Sequence, residues 1–245
     1  ILRWAVELGR LDIYLEVSLI SSHVANPRQG HLREILHIFA YLKKRDKLTL
    51  AFDPRHPPID ENRFENCDWC DFYPDAQEAV PDNLPEARGK EISITCFVDA
   101  SHASNLKTRR SHTGILIFIN RAPIIWYSKR QNTVESSTFG SEFIALKTAI
   151  EMIIGLRFKL RCFGIPIDGS TNIMCDNEPV TKNVRIPQST LSKKHNAVAF
   201  HKCREAVAAY ICRCAHEPSP TNLADLFTKQ KSSTERDRLI FKFMY

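Results

Sequence analysis

Four acidic residues of this 245-residue chain fall at the ends of apolar segments, where an isolated carboxylate costs several kcal/mol to bury. Asp99 and Asp176 lie at the ends of largely apolar predicted strands. Glu142 and Asp225 lie in the first turns of predicted helices, and Glu142 continues the apolar stripe of its helix. Each acid taken alone is most simply a turn residue, a helix cap or a partner of a helix dipole.

Taken together, the four acids indicate a site for cations. Like charges at close range raise one another's pKa unless a cation neutralises them. The set offers only oxygen ligands and is not accompanied by a Cys/His ligand pattern, which favours Mg²⁺ or Mn²⁺ over zinc. The sequence therefore predicts a divalent-cation site with four ligands, which are Asp99, Glu142, Asp176 and Asp225.

The elements that must position these acids follow an α/β pattern. Three successive strands are predicted over 92–100, 113–120 and 122–129, with a turn at Asn120 and Arg121. The remaining elements are a long helix over 136–164, a strand over 171–177, a basic helical stretch over 189–209, a strand over 210–215 and a last helix opening within 221–229. This order predicts an α/β fold with a mixed five-stranded sheet flanked by helices.

Charge and proline divide the chain further. Residues 53–89 hold ten acidic and three basic residues, and the rest of the chain holds 31 basic and 18 acidic residues, which favours a polyanionic partner. Six of the 13 prolines fall in the same stretch, so it is either wrapped over a surface or an extended tether. The predicted organisation is a small helical segment over 1–52, an acidic proline-rich connector over 53–90, an α/β domain over 91–230 and a C-terminal tail over 231–245.

The order of the four acids and the sequence motifs around them resemble the ribonuclease H region of copia-type LTR retrotransposon Pol polyproteins. The motifs are "TRRSHTGILIFINRAPIIWYSKRQNTVESST", "SEFIAL", "CDN" and "NLADLFTK", and the resemblance covers about residues 92–230. Residues 1–52 are similar to the end of the same polyprotein's reverse transcriptase, at its thumb. The polymerase's Tyr-x-Asp-Asp motif is absent from the sequence, so this fragment is not expected to synthesise DNA by itself.

The resemblance implies a ribonuclease H-like fold and endonucleolytic hydrolysis of the RNA strand of RNA–DNA hybrids during reverse transcription. It implies two Mg²⁺ ions, with Mn²⁺ as an alternative, bridged by Asp99. Glu142 and Asp176 would complete one side of the metal pair, and Asp225 the other. His216, nine positions before Asp225, could fill the place of a mobile histidine in cellular ribonucleases H.

The expected partners are the RNA–DNA hybrid and the upstream palm and fingers of the same polyprotein, and no membrane partner is expected. The expected location is inside the cell, in a cytoplasmic particle or the nucleus. Phosphate contacts are predicted for six basic residues, which are Arg109, Arg110, Lys193, Lys194, Lys202 and Arg204. An integrase would require its glutamate last, which this order does not fit. A catalytically inactive nucleic-acid-binding remnant of a decayed retroelement stays open as the alternative function.

Overall fold

The computed structural model describes residues 1–191 and 194–245, and a mixed five-stranded sheet lies at its centre. The strands are β1 (Ile94–Ser101), β2 (His112–Ile119), β3 (Ala122–Arg130), β4 (Thr171–Cys175) and β5 (Cys212–His216). Their order across the sheet is β3-β2-β1-β4-β5. The first three strands are antiparallel, whereas β4 runs parallel to both β1 and β5. The predicted mixed sheet is therefore confirmed.

Seven α-helices accompany the sheet in the described part of the chain. They are α1 (Leu2–Glu7), α2 (Tyr14–Ser21), α3 (Gln29–Lys44), α4 (Thr138–Cys162), α5 (Glu178–Arg185), α6 (Ala197–Ala208) and α7 (Ser233–Ile240). The long helix α4 begins where Ser137 accepts a hydrogen bond from the Gly140 amide, and Gly164 follows its end at φ +71°. In the described ranges, none of the helices combines the length and apolar character that crossing a bilayer requires.

The segment that carries Asp225 differs from the prediction. A helix opening within 221–229 was expected, but the structure has a short 3₁₀ helix over Leu223–Phe227. Asn222 caps its start by accepting a hydrogen bond from the Ala224 amide. Directly after this helix, the side chain of Thr228 donates a hydrogen bond to Asp99 and that of Lys229 donates one to Asp225.

One face of the sheet is covered by α4, α5 and α6, which form the main core. Apolar side chains of β1 such as Cys96 and Val98 meet Phe143, Leu146 and Ile150 of α4, and all five are fully buried. This packing holds the first turn of α4 against β1.

The opposite face of the sheet is covered by the two ends of the chain. Leu116 of β2 packs with Leu11 and Leu48 from the N-terminal segment and with Phe243 near the C-terminus. The Thr49 amide donates a hydrogen bond of 2.8 Å to the carbonyl oxygen of Tyr245. The predicted C-terminal tail over 231–245 therefore contains the helix α7 and completes this second core.

The acidic connector over 53–90 is wrapped over the surface, the first of its two predicted alternatives. Its own side chains Phe64 and Trp69 are buried. Glu78 receives hydrogen bonds from Arg157 and Arg161 of α4 at 2.6–2.9 Å. The assignment of separate domains at these boundaries stays a prediction.

Candidate active site

Two of the predicted acids are neighbours because β1 and β4 are parallel. The register pairs Val98 with Cys175, so the residues that follow them, Asp99 and Asp176, emerge side by side. On its other side Asp99 pairs with Gly114 of β2. A Cβ at Gly114 would lie 2.7 Å from the carbonyl oxygen of Ala224, so only glycine admits the 3₁₀ helix this close to the sheet.

The structure brings all four predicted acids together in two overlapping groups. Carboxylate oxygens of Asp99, Asp176 and Asp225 all lie within 4.8 Å of one another. The same separation holds for a carboxylate oxygen of Glu142, one of Asp176 and the Cys175 thiol. Asp176 is therefore the residue common to both groups, where the resemblance implied Asp99. Burial raises the pKa of the Cys175 thiol well above its usual value, so it stays neutral and is a poor ligand for a hard cation.

Burial makes these carboxylates unusual acids. Asp99 is 0% exposed. Burial and the nearby charge of Asp176 raise its pKa to about 7, although Lys229 opposes the shift. Burial is also the main cause that raises the pKa of Glu142 well above its usual value, and the charges of Asp99 and Asp176 raise it further. The Oε2 atom of Glu142 is buried and has no hydrogen-bond partner among the described residues.

Lys229 lies between three of the acids, and the sequence prediction missed it. Its Nζ atom is 2.8 Å from Asp225, 3.0 Å from Asp99 and 3.5 Å from Asp176. Burial disfavours the ammonium, but Asp99, Asp225 and Asp176 outweigh burial and raise the pKa of Lys229. Lys231 adds a second contact of 2.5 Å to Asp225. The available signal was the four-residue spacing from Asp225 to Lys229, which places two side chains on the same side of a helical turn.

His216 lies beside this cluster, at the exposed end of β5. Its Nε2 atom is 3.2 Å from the backbone carbonyl oxygen of Asp176. The Ser219 hydroxyl, which the sequence prediction also missed, donates a hydrogen bond of 2.6 Å to the Asp176 carboxylate. A catalytic role for His216 stays a prediction, but its position next to Asp176 is compatible with one.

The predicted phosphate-binding residues differ in their exposure. Arg109 and Lys194 are exposed, Arg110 is half-buried, and Lys202 stands 3.8 Å from Glu205; Lys193 lies outside the described residues. Arg204 is 2% exposed and donates to backbone carbonyl oxygens of the 183–189 stretch. Because its guanidinium is bonded to these buried carbonyl oxygens, this structure does not present Arg204 to a nucleic acid, and its predicted contact stays a prediction.

The strand order defines a ribonuclease H-like fold. Its carboxylates converge from β1, α4, the end of β4 and the 3₁₀ helix, and they form a cluster of acids that could hold metal. The chain is similar to retrovirus-related Pol polyproteins of transposons. It spans only 13%, 10% and 14% of the length of three such polyproteins.

Sequence and structure comparisons give individual relatives. The chain is 27% identical over 225 residues to the retrovirus-related Pol polyprotein from transposon RE1 of Arabidopsis thaliana, covering 92% of this chain and 13% of that protein. It is 34% identical over 152 residues to secreted RxLR effector protein 161 of Plasmopara viticola, covering 62% of this chain and 83% of that protein. LC11-RNase H1 in complex with an RNA/DNA hybrid aligns over 56% of this chain and 94% of that chain, with 16% identity and a TM-score of 0.45. No family model matches the chain.

Proposed function

We propose that this chain is a metal-dependent ribonuclease H, which cleaves the RNA strand of RNA–DNA hybrids endonucleolytically during reverse transcription of a copia-type retrotransposon. The observation that carries the proposal is the convergence of Asp99, Asp176 and Asp225 within 4.8 Å, with Glu142 beside Asp176. Three of the four acids are almost completely buried, which is costly for a site with no charge to bind.

The residues present fit divalent cations of the Mg²⁺ or Mn²⁺ class. The donors are carboxylate oxygens, and the buried Oε2 of Glu142 lacks a partner among the described residues. Asp99, Asp176 and Asp225 would hold one ion, and Glu142 with Asp176 a second. Such ions, when bound, lower the pKa of an attacking water and stabilise charge on the leaving 3′-oxygen.

The chain's own side chains then have distinct tasks. Thr228 donates a hydrogen bond to Asp99 and Ser219 donates one to Asp176, so both carboxylates are held in fixed orientations. His216 lies at the exposed rim, with its Nε2 atom beside the backbone carbonyl oxygen of Asp176. Recognition of the hybrid would depend on duplex shape and 2′-hydroxyl groups instead of base sequence.

The similarity to transposon Pol polyproteins supports the proposal that this reaction takes place next to a reverse transcriptase. We infer that residues 1–52 are the end of a reverse transcriptase thumb and that the upstream palm and fingers deliver the hybrid. Because the polymerase motif lies outside this sequence, the fragment alone is expected to show nuclease activity without DNA synthesis. The proposed site of action is intracellular, in a cytoplasmic particle or the nucleus.

Cleavage of three labelled substrates tests the proposal. With Mg²⁺ or Mn²⁺ the chain should cut an RNA–DNA hybrid internally and leave single-stranded RNA and duplex DNA intact, and chelation should stop the reaction. Hybrid binding without cleavage under both metals would contradict the proposal and favour the inactive nucleic-acid-binding remnant instead.

Lys229→Met should make the protein more dependent on divalent cations. Without metal, the variant should melt about 3–6 °C below the parent, because three carboxylates lose a shared ammonium worth about 1.5–3 kcal/mol. Millimolar Mg²⁺ should then raise its melting temperature by more than it raises that of the parent, because the ions no longer compete with the lysine. Thermal unfolding with chelator and with Mg²⁺ measures both effects.

Lys231→Met is the matched control, because Lys231 contacts Asp225 alone and its loss should have a smaller effect. An equal metal-dependent gain in the parent and in Lys229→Met would show that cations do not bind where the ammonium lies.

A further inference from the structure

A groove of about 1070 Å³ runs from the carboxylate cluster to α2. Thr228 and Lys229 line the end of the groove at the cluster, and Ser22 and His23 line the end at α2. Its charged lining residues in the described part of the chain are all basic, and they are Arg3, Lys107, Arg110, Lys129, Arg130 and Lys229. A concave surface with one sign of charge concentrates the opposite charge.

The basic side chains of this groove are available for a ligand. Apart from Lys229, none of them forms an ion pair with a described residue. The other edge of the sheet is different, because the acidic connector neutralises it. On that edge strand Arg213 pairs with Glu61 of the connector, and on the helices Arg157 of α4 pairs with Glu78 and Arg185 of α5 with Glu65. The connector therefore leaves the groove as a positive surface that continues from the candidate active site.

The outer wall of the groove is fixed to the sheet. The Ser18 hydroxyl of α2 donates a hydrogen bond of 2.8 Å to the carbonyl oxygen of Ser128 in β3. The ring of Tyr14 packs edge-on against Phe227, with centroids 6.0 Å apart. Because Phe227 is next to Thr228, the wall and the acidic cluster are held by the same short segment.

We propose that this groove binds the sugar–phosphate backbone of one nucleic-acid strand that continues past the hybrid, with α2 as its outer wall. This inference rests on the proposed nuclease function and extends its substrate surface onto the N-terminal segment. Lysine and arginine side chains neutralise the phosphates, and the side-chain amides of Asn105 and Asn132 donate hydrogen bonds to the backbone. The strand can be RNA or DNA, since both carry one negatively charged phosphate per nucleotide.

Equilibrium binding with the metal chelated tests the groove without requiring cleavage. The probes are a blunt RNA–DNA hybrid and the same hybrid with a single-stranded RNA or DNA overhang at either end. The parent should bind at least one overhang probe more tightly than the blunt probe. The double variant Lys107→Gln/Lys129→Gln should lose this gain. For the overhang probe, the plot of log association constant against log salt concentration should become less steep by about 1.4, since each single-strand phosphate contact contributes about 0.7.

The matched control is Lys90→Gln/Lys159→Gln, which removes two exposed lysines that do not line the groove and should keep both the gain and the slope. The outer wall is tested by Ser22→Asp, which places a negative charge in the groove and should weaken overhang binding several-fold. Ser233→Asp, at the exposed start of α7, should not.

The outcomes separate this inference from the nuclease proposal. A parent that binds the overhang probes but never cuts a hybrid contradicts the nuclease function and keeps the groove. Equal affinity of the parent for blunt and overhang probes, or an unchanged salt slope in Lys107→Gln/Lys129→Gln, overturns the groove as a strand-binding surface.

Discussion

Asp99→Asn is expected to lower hybrid cleavage by about 10³-fold or more while the protein stays folded. Asparagine keeps the shape of the side chain and can still accept the hydrogen bond from Thr228. It removes one of the three carboxylate charges that lie within 4.8 Å of one another, and both activation of water and stabilisation of the leaving oxygen would depend on ions held there. Initial cleavage rates at saturating hybrid measure the loss.

The stability of the same variant separates catalysis from structure. Burial and neighbouring carboxylates already oppose ionisation of Asp99, so its neutral replacement should leave the metal-free melting temperature unchanged or higher. Hybrid affinity should change little, because phosphate contacts come from basic residues. Asp82→Asn, in the exposed connector, is the control and should cleave like the parent. If Asp99→Asn were destabilised yet active, Asp99 would be a structural residue at a strand end.

The acids of the site could be predicted because each interrupts an apolar element. A carboxylate directly after a buried strand is unusual, and two of them on strands that proved parallel had to emerge side by side. Glu142 was recognisable because it continues the buried stripe of α4. Local periodicity therefore located the four acids that converge, as it located the bounds of α4 to within two residues.

Contacts between distant parts of the chain could not be predicted in this way. Leu11 and Leu48 share a core with Phe243 near the other end of the chain, and no local pattern reports such a pairing. The same limit applies to Lys229, whose type and spacing suit an exposed ion pair as well as a place among three buried carboxylates. The short helix α5 escaped notice although Asn177 and Pro179 mark its start.

The basic residues show why charge alone misleads. Lys202 and Arg204 are two positions apart on α6, and both looked like phosphate ligands. A helix turns about 200° over two residues, so one of them faces solvent while the other faces the protein. Which residue is buried depends on the connector that packs against α6, and this was not visible in the sequence.

Arg204→Met is expected to destabilise the fold by about 3–5 kcal/mol. The guanidinium donates hydrogen bonds to the carbonyl oxygens of Asn183 at 2.9 Å and Ile186 at 3.0 Å, and also to that of Pro187. It lies 4.6 Å from the ring centroid of Phe200 and 4.9 Å from that of Trp69 in the connector. Methionine fills much of the volume but leaves several buried carbonyl oxygens without donors, each of which costs about 1–3 kcal/mol.

Urea unfolding measures this prediction, and two further variants sharpen it. Arg204→Lys should also be strongly destabilised, because an ammonium cannot span carbonyl oxygens that a planar guanidinium reaches together. Lys202→Met, on the exposed side of the same helix, should stay within about 0.5 kcal/mol of the parent. Folded Arg204→Met should bind the hybrid with the parent's affinity and salt dependence, since the guanidinium is buried. Weaker binding with unchanged unfolding would instead return Arg204 to the nucleic-acid surface and show that α6 exposes it in solution.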